Sequence, residues 1–368
     1  MIKFSKNNID NKTLNLVNKT IKSGWLTHGK NTKKFENEFK KFTKSKFAVS
    51  VSSCTAALHL SCLAAGFKKG DEVIVTSMSH TATSHSVEYT GAKVVFADIN
   101  LYDGNISVES IKKKINKKTR GIIIVHMTGF ACEIKEITKI CKEFNLKLIE
   151  DCAHSLGTFY QDRHVGLSGI SGCFSFYPTK QITTGEGGMI ITNDKKIYEL
   201  LKTLKAFGID KDVNERKKAG FYDVNKLGYN YRMTDFQAAL GLGQLKIYNQ
   251  LLNKRIKNVQ LYYEYLKKCN NIRFESFRKY SSYFVFQIFI KNRDKLTEIL
   301  KRNNIQYSIH YKTPLPLMSY YKKKYNYGIK DFKNACLYAS TNLSLPAYPK
   351  IKASEIKKIC DIIYDFQK

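Results

Sequence analysis

One lysine, Lys180, stands in a setting that suits covalent chemistry with a carbonyl compound. It ends the stretch FSFYPTK, which begins as an apolar run typical of a buried strand, and the glycine-rich sequence TTGEGG follows shortly after it. Glycines let the backbone approach a ligand closely. A lysine acts as a nucleophile when its amine is neutral part of the time, which a partly buried site permits. We therefore predict that Lys180 forms a Schiff base.

An acidic residue, Asp151, follows a second apolar run at Lys147–Ile149. In an open α/β sheet, ligands bind beyond the carboxyl ends of the strands. A carboxylate at such an end could hold a cationic ring nitrogen, and a solvated loop is the alternative interpretation. A metal site is disfavoured, because the spacing matches no zinc pattern. The histidines considered for a metal site with Asp151 are His80, His85, His126 and His154.

A third set of small polar residues, Ser52 to Thr55, precedes a helical pattern. The free N–H groups at a helix start and the helix dipole favour a phosphate, although an ordinary N-cap is the alternative interpretation. Together, these three features match a cofactor with a phosphate, a ring nitrogen and an aldehyde. The residues therefore predict a pyridoxal-phosphate enzyme.

The elements that must position these residues alternate between short apolar runs and helical patterns. This rhythm predicts an α/β fold with a mainly parallel sheet and crossover helices. The predicted strands are Glu72–Thr76, Lys93–Ala97, Gly121–Val125, Lys147–Ile149, Cys173–Phe176 and Met189–Thr192. The predicted helices lie near residues 55–65, 80–89, 108–115, 134–144 and 195–204.

The last part of the chain predicts a second, smaller domain. A long helix with one apolar stripe, from about Thr234 to Lys268, leads into it. We place the boundary between a large cofactor-binding domain, residues 1–245, and a smaller α+β domain, residues 246–368. The elements predicted in the second domain are strands at Tyr283–Ile290 and Ile305–Ile309, a helix at Arg293–Asn303 and a final helix around Ile356, Ile359 and Ile363.

Charge and cysteine content limit the partners and the compartment. The formal net charge is +31, but the excess is nearly all scattered lysine, so we predict no nucleic-acid partner. A positive surface would still attract a nucleotide diphosphate. No apolar run is long enough to cross a membrane and no apolar leader is seen, so no membrane insertion is expected. Nine cysteines without a C-x-x-C pair indicate a reducing cytoplasm.

Several long stretches resemble the DegT/DnrJ/EryC1/StrS family of sugar aminotransferases. They are SSCTAALHL, GDEVIV, IEDCAHSLG, FSFYPTKQITTGEGGMI and LGYNYRMTDFQAALG, within a match that runs from Ser23 to Pro346. The resemblance implies a type I aminotransferase fold and a homodimer with shared active sites. It also implies a nucleotide-linked keto-sugar as amino acceptor, with glutamate as the expected amino donor.

The resemblance also implies a role for each matching residue. Lys180 would bind pyridoxal phosphate covalently and Asp151 would pair with its ring nitrogen. His154 replaces the family's frequent glutamine beside the ring. His80 stands where an aromatic residue usually stacks on the ring, with a structural histidine as the alternative. The phosphate contacts fall on Cys54, which replaces the usual glycine or alanine, on Thr55, on Ser175 and, from the other subunit, on Asn230.

The expected acceptor is a 4-keto-6-deoxy hexose carried by UDP or GDP, for surface-glycan or amino-sugar biosynthesis. A 3-keto sugar is the alternative. His310 and Lys312 could face the diphosphate, or they could belong to a surface loop. A sugar dehydratase on the same scaffold would replace the lysine with histidine, whereas Lys180 is retained. A regulatory protein of this shape would need a DNA-binding domain, for which the residues before Trp25 leave no room.

Overall fold

The computed structural model describes residues 1–211, 218 and 220–367. Its helices are α1 Asn11–Lys22, α2 Lys30–Thr43, α3 Cys54–Ala64, α4 Thr81–Glu88, α5 Val108–Lys114, α6 Ile134–Glu143, α7 Lys195–Leu204, α8 Asp235–Lys246, α9 Tyr248–Leu266, α10 Arg293–Arg302, α11 Ser319–Tyr325, α12 Lys333–Thr341 and α13 Ala353–Phe366. Its strands are β1 Phe47–Val51, β2 Glu72–Thr76, β3 Lys93–Ala97, β4 Thr119–Val125, β5 Lys147–Asp151, β6 Phe159–Tyr160, β7 Arg163–His164, β8 Ser171–Ser175, β9 Gly188–Thr192, β10 Ile272–Arg273, β11 Phe286–Ile290 and β12 Asn342–Leu345. The elements predicted as far as residue 204 are all present, with bounds within one or two residues of those expected.

The central sheet has the strand order β1-β9-β8-β5-β4-β2-β3. The neighbours from β3 to β8 pair in parallel, and β9 runs antiparallel to both β8 and β1. The sheet is therefore mainly parallel, which confirms the predicted α/β class. Successive residues of a strand face opposite sides, so Val73 and Val75 pack into one apolar core and Ile74 into another. Helices cover both faces, as a parallel sheet requires.

The two N-terminal helices α1 and α2 are not among the predicted elements. Both pack against α8. Asp235, the first residue of α8, accepts hydrogen bonds from the N–H groups of Asn31 and Thr32, each at 2.9 Å. The carboxylate thus satisfies N–H groups in the first turn of α2 that have no partner within that helix. The N-terminal segment is in this way joined to a helix 200 residues away in the sequence.

The single long helix predicted from Thr234 to Lys268 is wrong. The structure divides this stretch into α8 and α9 at Ile247, whose backbone angles of φ −103° and ψ 4° interrupt the helix. The break falls close to the proposed domain boundary after residue 245, which stays a prediction. None of the helices in the described ranges is long and apolar enough to cross a bilayer.

The C-terminal part contains a small antiparallel sheet, β10-β11-β12, backed by α9, α10 and α13. The predicted strand at Ile305–Ile309 is wrong, because this segment makes only isolated bridges, from Ile305 to Ile2 and from Ser308 to Ser344. The strand predicted at Tyr283–Ile290 begins later, at Phe286. The Phe284 N–H instead donates a hydrogen bond to the Thr128 carbonyl oxygen at 2.9 Å, and this difference shapes the site.

Candidate active site

Asp151 ends β5 and lies buried at the carboxyl edge of the sheet. Its Oδ2 atom accepts a hydrogen bond from the Thr83 hydroxyl at 2.8 Å, and its Oδ1 atom accepts one from the Ala153 N–H at 3.0 Å. Burial nevertheless raises the pKa of Asp151, because desolvation outweighs these bonds and the nearby charge of Lys180. A buried carboxylate is stabilised by a cation beside it, so Asp151 fits a protonated ring nitrogen.

Lys180 follows β8 and is half-buried, with its backbone N–H bonded to the Tyr177 carbonyl oxygen at 2.9 Å. Its Nζ atom lies 4.6 Å from the centre of the Phe284 ring. Burial lowers the pKa of Lys180 to about 8, although the negative charge of Asp151 acts in the opposite direction. The amine is therefore neutral for part of the time near physiological pH, as Schiff-base formation requires.

The predicted phosphate cradle lies at the start of α3. Ser53 caps this helix, and Cys54 and Thr55 lie in its first turn, where backbone N–H groups lack partners within the helix. A Cβ atom at Gly188 would come within 2.6 Å of the Ser53 carbonyl group, so only glycine allows this close approach. Because Gly188 pairs with Ser175 across the sheet, Ser175 is brought against the start of α3.

His154 is buried and lies between aromatic rings. Its ring stacks on Phe284, with centres 4.4 Å apart and planes 11° apart. Its Nε2 atom is 3.4 Å from the Tyr311 hydroxyl, whereas its Nδ1 atom is buried without a hydrogen-bond partner. Burial and the charge of Lys180 hold the pKa of His154 well below its usual value, so the ring is neutral. An unpartnered ring nitrogen at this place fits a polar atom of a ligand.

The position of His80 is compatible with both of its predicted roles, stacking on a ligand ring and a structural role. It caps α4, because its Nδ1 atom accepts a hydrogen bond from the Ala82 N–H at 3.2 Å, and this is a structural role. It also lies within electrostatic reach of Lys180 and Asp151. Its ring is exposed and lies 6.4 Å from the Tyr311 ring at an angle of 59°, so one face remains accessible to a ligand.

The two residues predicted to face a diphosphate occupy different surroundings. The Nδ1 atom of His310 lies 2.9 Å from the Ser344 hydroxyl. Burial lowers the pKa of His310 to about 3, and the charge of Lys180 acts in the same direction. His310 can therefore meet a diphosphate only as a neutral group, contrary to a cationic role. Lys312, two residues later, is exposed.

Asn230 is exposed, and its Oδ1 atom accepts a hydrogen bond from Nε of Arg232 at 3.2 Å. Its neighbour Tyr231 accepts a hydrogen bond at its carbonyl oxygen from the Ser52 N–H at 2.8 Å. The segment carrying Asn230 therefore runs beside the approach to α3. The role of Asn230 in another subunit stays a prediction.

Most of the predicted residues converge on Lys180. Those whose pKa values respond to the charge of Lys180 are Cys54, His80, Asp151, His154 and His310. Thr55 and Ser175 adjoin this group through α3 and the β8–β9 pairing, whereas Asn230 and Lys312 lie exposed outside it.

Three residues that contact this group are not among the predicted ones: Thr83, Phe284 and Tyr311. Thr83 bonds Asp151, and Phe284 contacts both Lys180 and His154. Tyr311 contacts His154 and lies inside the predicted binding loop. An aromatic residue next to His310 is a signal that could have identified Tyr311, whereas Thr83 and Phe284 carry no comparable signal.

Within the described residues, one group of three potential metal ligands lies behind the site, formed by His126, Glu150 and Cys152. Both Glu150 oxygens accept backbone N–H groups of the loop 166–169, and Oε2 also lies 3.0 Å from Nε2 of His126. The other His126 nitrogen accepts the Cys132 N–H at 3.1 Å. These hydrogen bonds explain the group as structural, without a metal ion.

Comparison with known proteins extends these observations. A sequence model of the DegT/DnrJ/EryC1/StrS aminotransferase family matches residues 7–364. The chain is 33% identical to GDP-perosamine synthase of Vibrio cholerae, over 100% of this chain and 99% of that protein. It is 32% identical to UDP-4-amino-4,6-dideoxy-N-acetyl-beta-L-altrosamine transaminase of Campylobacter jejuni, over 99% and 97%. The PLP form of the putative sugar aminotransferase Spr1654 from Streptococcus pneumoniae superimposes with a TM-score of 0.92 at 26% identity, covering 100% and 98%.

Proposed function

The chain belongs to the DegT/DnrJ/EryC1/StrS aminotransferase family, and from that premise we propose that it aminates the C4 keto group of a nucleotide-linked 6-deoxy hexose, with glutamate as the amino donor. Membership confirms the predicted enzyme class, the type I aminotransferase fold and pyridoxal phosphate as the cofactor. One observation carries the proposal. Asp151 at the end of β5 and Lys180 after β8 meet in a partly buried site in which burial shifts the pKa of each towards its neutral form.

The side chains present fit this cofactor. Asp151 is a buried carboxylate that a cationic ring nitrogen would stabilise, and His154 has an unpartnered ring nitrogen beside Lys180. The start of α3, with Cys54 and Thr55, would hold the phosphate through backbone N–H groups and the helix dipole.

These residues would divide the chemistry between them. When bound, pyridoxal phosphate supplies an aldehyde that carries the amino group and a ring that withdraws electrons. The Nζ atom of Lys180 removes a proton from the donor carbon and later delivers one to the acceptor carbon, as general base and general acid. Asp151 holds a proton on the ring nitrogen, and its bonds from Thr83 and Ala153 fix the carboxylate in place.

The names of the relatives support the choice of acceptor. The Campylobacter jejuni relative is named for a UDP-linked 4-amino-4,6-dideoxy sugar and the Vibrio cholerae relative for a GDP-linked sugar. Because transamination places nitrogen on the carbon that carried the ketone, a 4-amino-6-deoxy product requires a 4-keto-6-deoxy acceptor. The net charge of +31 favours attraction of a nucleotide diphosphate.

A homodimer with shared sites belongs to the same proposal. Large apolar side chains are exposed around the segment that carries Asn230, and such surfaces commonly mark protein interfaces. They are Trp25, Leu26, Phe207, Leu227 and Phe236. We place the reaction in the cytoplasm, since all nine cysteines are free, as a reducing compartment would keep them.

The purified protein with bound cofactor tests the proposal. We expect a visible cofactor band, and amination of a UDP-linked or GDP-linked 4-keto-6-deoxy sugar with release of 2-oxoglutarate from glutamate. Mass spectrometry should show a nitrogen-containing sugar nucleotide, and the Lys180→Ala variant should show none. Amination of 3-keto sugars alone would move the position of the reaction, and a product without nitrogen would indicate a dehydratase instead.

A further inference from the structure

The amine of Lys180 lies over the face of an aromatic ring. Its Nζ atom is 4.6 Å from the centre of the Phe284 ring, and no hydrogen bond or ion pair of Nζ is found in the part of the chain that the structure describes. The face of a phenyl ring carries negative potential, so it attracts a cation at this distance, more strongly where water is excluded. Phe284 is buried and Lys180 is half-buried, so the ring stabilises the protonated amine in place of a hydrogen-bond acceptor.

The Phe284 ring is fixed in this position by the protein itself. The Phe284 N–H donates a hydrogen bond to the Thr128 carbonyl oxygen, between β4 and α6, at 2.9 Å. The Phe284 carbonyl oxygen accepts a hydrogen bond from Nη1 of Arg255, on α9, at 2.9 Å. The His154 ring also packs against the Phe284 ring, with centres 4.4 Å apart. Because distant segments hold both backbone polar groups of Phe284, the position of its ring is set by the fold and not by a ligand.

The other groups around Nζ show what the ring adds. Burial lowers the pKa of the nearby histidines and raises the pKa of the nearby thiol and phenol, so these groups are neutral near neutral pH. Asp151, when ionised, favours the protonated form of Lys180, and the uncharged face of the Phe284 ring acts in the same direction. The titratable groups within reach of Nζ are Cys54, His80, Asp151, His154 and His310, with Tyr311 beside His154.

We propose that Phe284 is a positioning residue whose ring face holds the Lys180 amine in its protonated form between the two proton transfers of the reaction. In the proposed function, Nζ takes a proton from the donor carbon and so becomes an ammonium group, and it later gives up one proton and returns to the neutral amine. The ring face stabilises the ammonium group between these steps. This consequence rests on the proposed function, whereas the contact between ring and amine does not.

The titration of Lys180 in the cofactor-free protein measures the contact. Mixed with pyridoxal phosphate, the wild-type protein should capture it at a rate that is half-maximal near pH 8, because burial lowers the pKa of Lys180 to about 8. Phe284→Leu removes the ring but keeps an apolar side chain, so the ammonium group loses its attraction to the ring face. The half-maximal pH should therefore fall by about 0.5 to 1.

Fluorination of the ring separates its electrostatic effect from its packing. Pentafluorophenylalanine in place of Phe284 keeps the shape of the ring but reverses the sign of the potential on its face. It should lower the half-maximal pH at least as far as Phe284→Leu, and a ring with a single fluorine should give an intermediate value. A half-maximal pH that does not move with fluorination would overturn the proposal, because it would show that Phe284 acts through packing alone.

The donor half-reaction measures the consequence for proton transfer. Mixed with glutamate, holoenzyme carrying Phe284→Leu should convert its cofactor about threefold to tenfold more slowly than the wild type. The slowed reaction should show a primary isotope effect with glutamate deuterated at its α carbon, since proton transfer limits its rate. A slower reaction without an isotope effect would place the loss in donor binding and would also overturn the proposal.

Phe286 provides a matched control two residues along the chain. Its ring is buried and stacks on Tyr262, with centres 4.6 Å apart and planes 6° apart. Pentafluorophenylalanine in place of Phe286 should change neither the titration nor the donor half-reaction. If wild-type holoenzyme does not react with glutamate, the proposed donor is wrong, and the titration of the cofactor-free protein still tests the ring. A normal reaction with glutamate together with a titration that fluorination does not move would refute only the role of Phe284.

Discussion

The two sides of the active site are built in different ways. On one side, which we call the strand-end wall, Asp151 ends β5, Lys180 follows the parallel strand β8, and Thr83 lies in the first turn of α4. On the other, the irregular wall, Phe284 and Tyr311 lie on segments without regular structure. These segments are held by hydrogen bonds, such as that from Asn342 Nδ2 to the Tyr311 carbonyl oxygen at 3.2 Å.

The walls also differ in charge. In the strand-end wall, burial lowers the pKa of Lys180 to about 8 and raises the pKa of Asp151. Both shifts favour the neutral form, so these groups are suited to exchanging protons. On the irregular wall, His310 and Tyr311 are neutral, because burial lowers the pKa of His310 to about 3 and raises that of Tyr311. The difference indicates that the strand ends perform the proton chemistry and the irregular segments orient the groups that take part. Substitutions on the first wall should therefore reduce the rate more than those on the second.

The largest effect is expected at Lys180. Lys180→Ala removes the amine that binds the cofactor and moves the proton, so kcat should fall by on the order of a thousandfold or more. Borohydride reduction of the wild-type protein, followed by digestion and mass spectrometry, should place the cofactor on the peptide containing Lys180. Lys142→Ala, an exposed lysine on α6, should retain full activity. A tag on any other lysine contradicts the assignment.

A smaller loss is expected at Asp151. Asp151→Asn keeps a side chain of the same size but removes the negative charge that holds a proton on the ring nitrogen. The rate should fall on the order of a hundredfold, while the cofactor band remains. Thr83→Val removes one of the two hydrogen bonds to the Asp151 carboxylate and should lower the rate about fivefold. Steady-state kinetics of both variants decides the point, and full activity of Asp151→Asn would exclude the role.

The strand-end wall could be predicted from the sequence because its physical causes are local. An apolar strand followed by a polar residue places that residue at the sheet edge, so Asp151 and Lys180 were predictable one by one. Thr83 could not be predicted in this way. Its bond to Asp151 spans 68 residues and joins the first turn of α4 to the end of β5, which only the tertiary structure brings together.

The irregular wall carries no such pattern. The apolar run Tyr283–Ile290 predicts a strand. The Phe284 N–H, however, donates its hydrogen bond to the Thr128 carbonyl oxygen and not to a neighbouring strand. The same reason explains the error at Ile305–Ile309, whose partners Ile2 and Ser344 each offer a single bridge. The conformation of these segments depends on backbone pairing with distant residues, which a local sequence pattern does not reveal. The helix break at Ile247 was likewise not predicted, because the apolar periodicity continues through it.

The pH dependence of cofactor capture tests the electrostatics of the strand-end wall. Burial lowers the pKa of Lys180 from 10.5 to about 8, so the reactive neutral amine increases as the pH rises towards 8 and is nearly complete above 9. Mixed with cofactor-free enzyme in a stopped-flow instrument, pyridoxal phosphate should be captured about fivefold faster at pH 8 than at pH 7. The same aldehyde with a free amine of ordinary pKa is the control. A rate that continues to rise beyond pH 10 would show an unperturbed lysine.

Subunit exchange tests whether the site needs a second chain. Lys180→Ala and Asn230→Ala are each expected to be impaired alone, the second by about tenfold through loss of a phosphate contact. If Asn230 acts in the partner's site, a mixed dimer contains one site damaged twice and one intact site. The mixture should then regain part of the activity, whereas each variant mixed with itself should not. No recovery after proven exchange would place Asn230 in its own subunit's site.

The smallest effect is expected at Lys312, on the exposed side of the irregular wall. An exposed ammonium group gains little from one ionic contact, since water screens it, so Lys312→Ala should raise KM for the sugar nucleotide only about twofold to fivefold. The glutamate half-reaction should not change, because that donor carries no diphosphate. The two half-reactions can be followed separately through the cofactor spectrum. Equal damage to both half-reactions would show that the loop supports the fold or the cofactor. No change in either would show that Lys312 is an ordinary solvated surface charge.

His310→Asn provides the comparison. His310 is half-buried and neutral, so replacing it should disturb both half-reactions through His154 and Phe284, and not through the diphosphate.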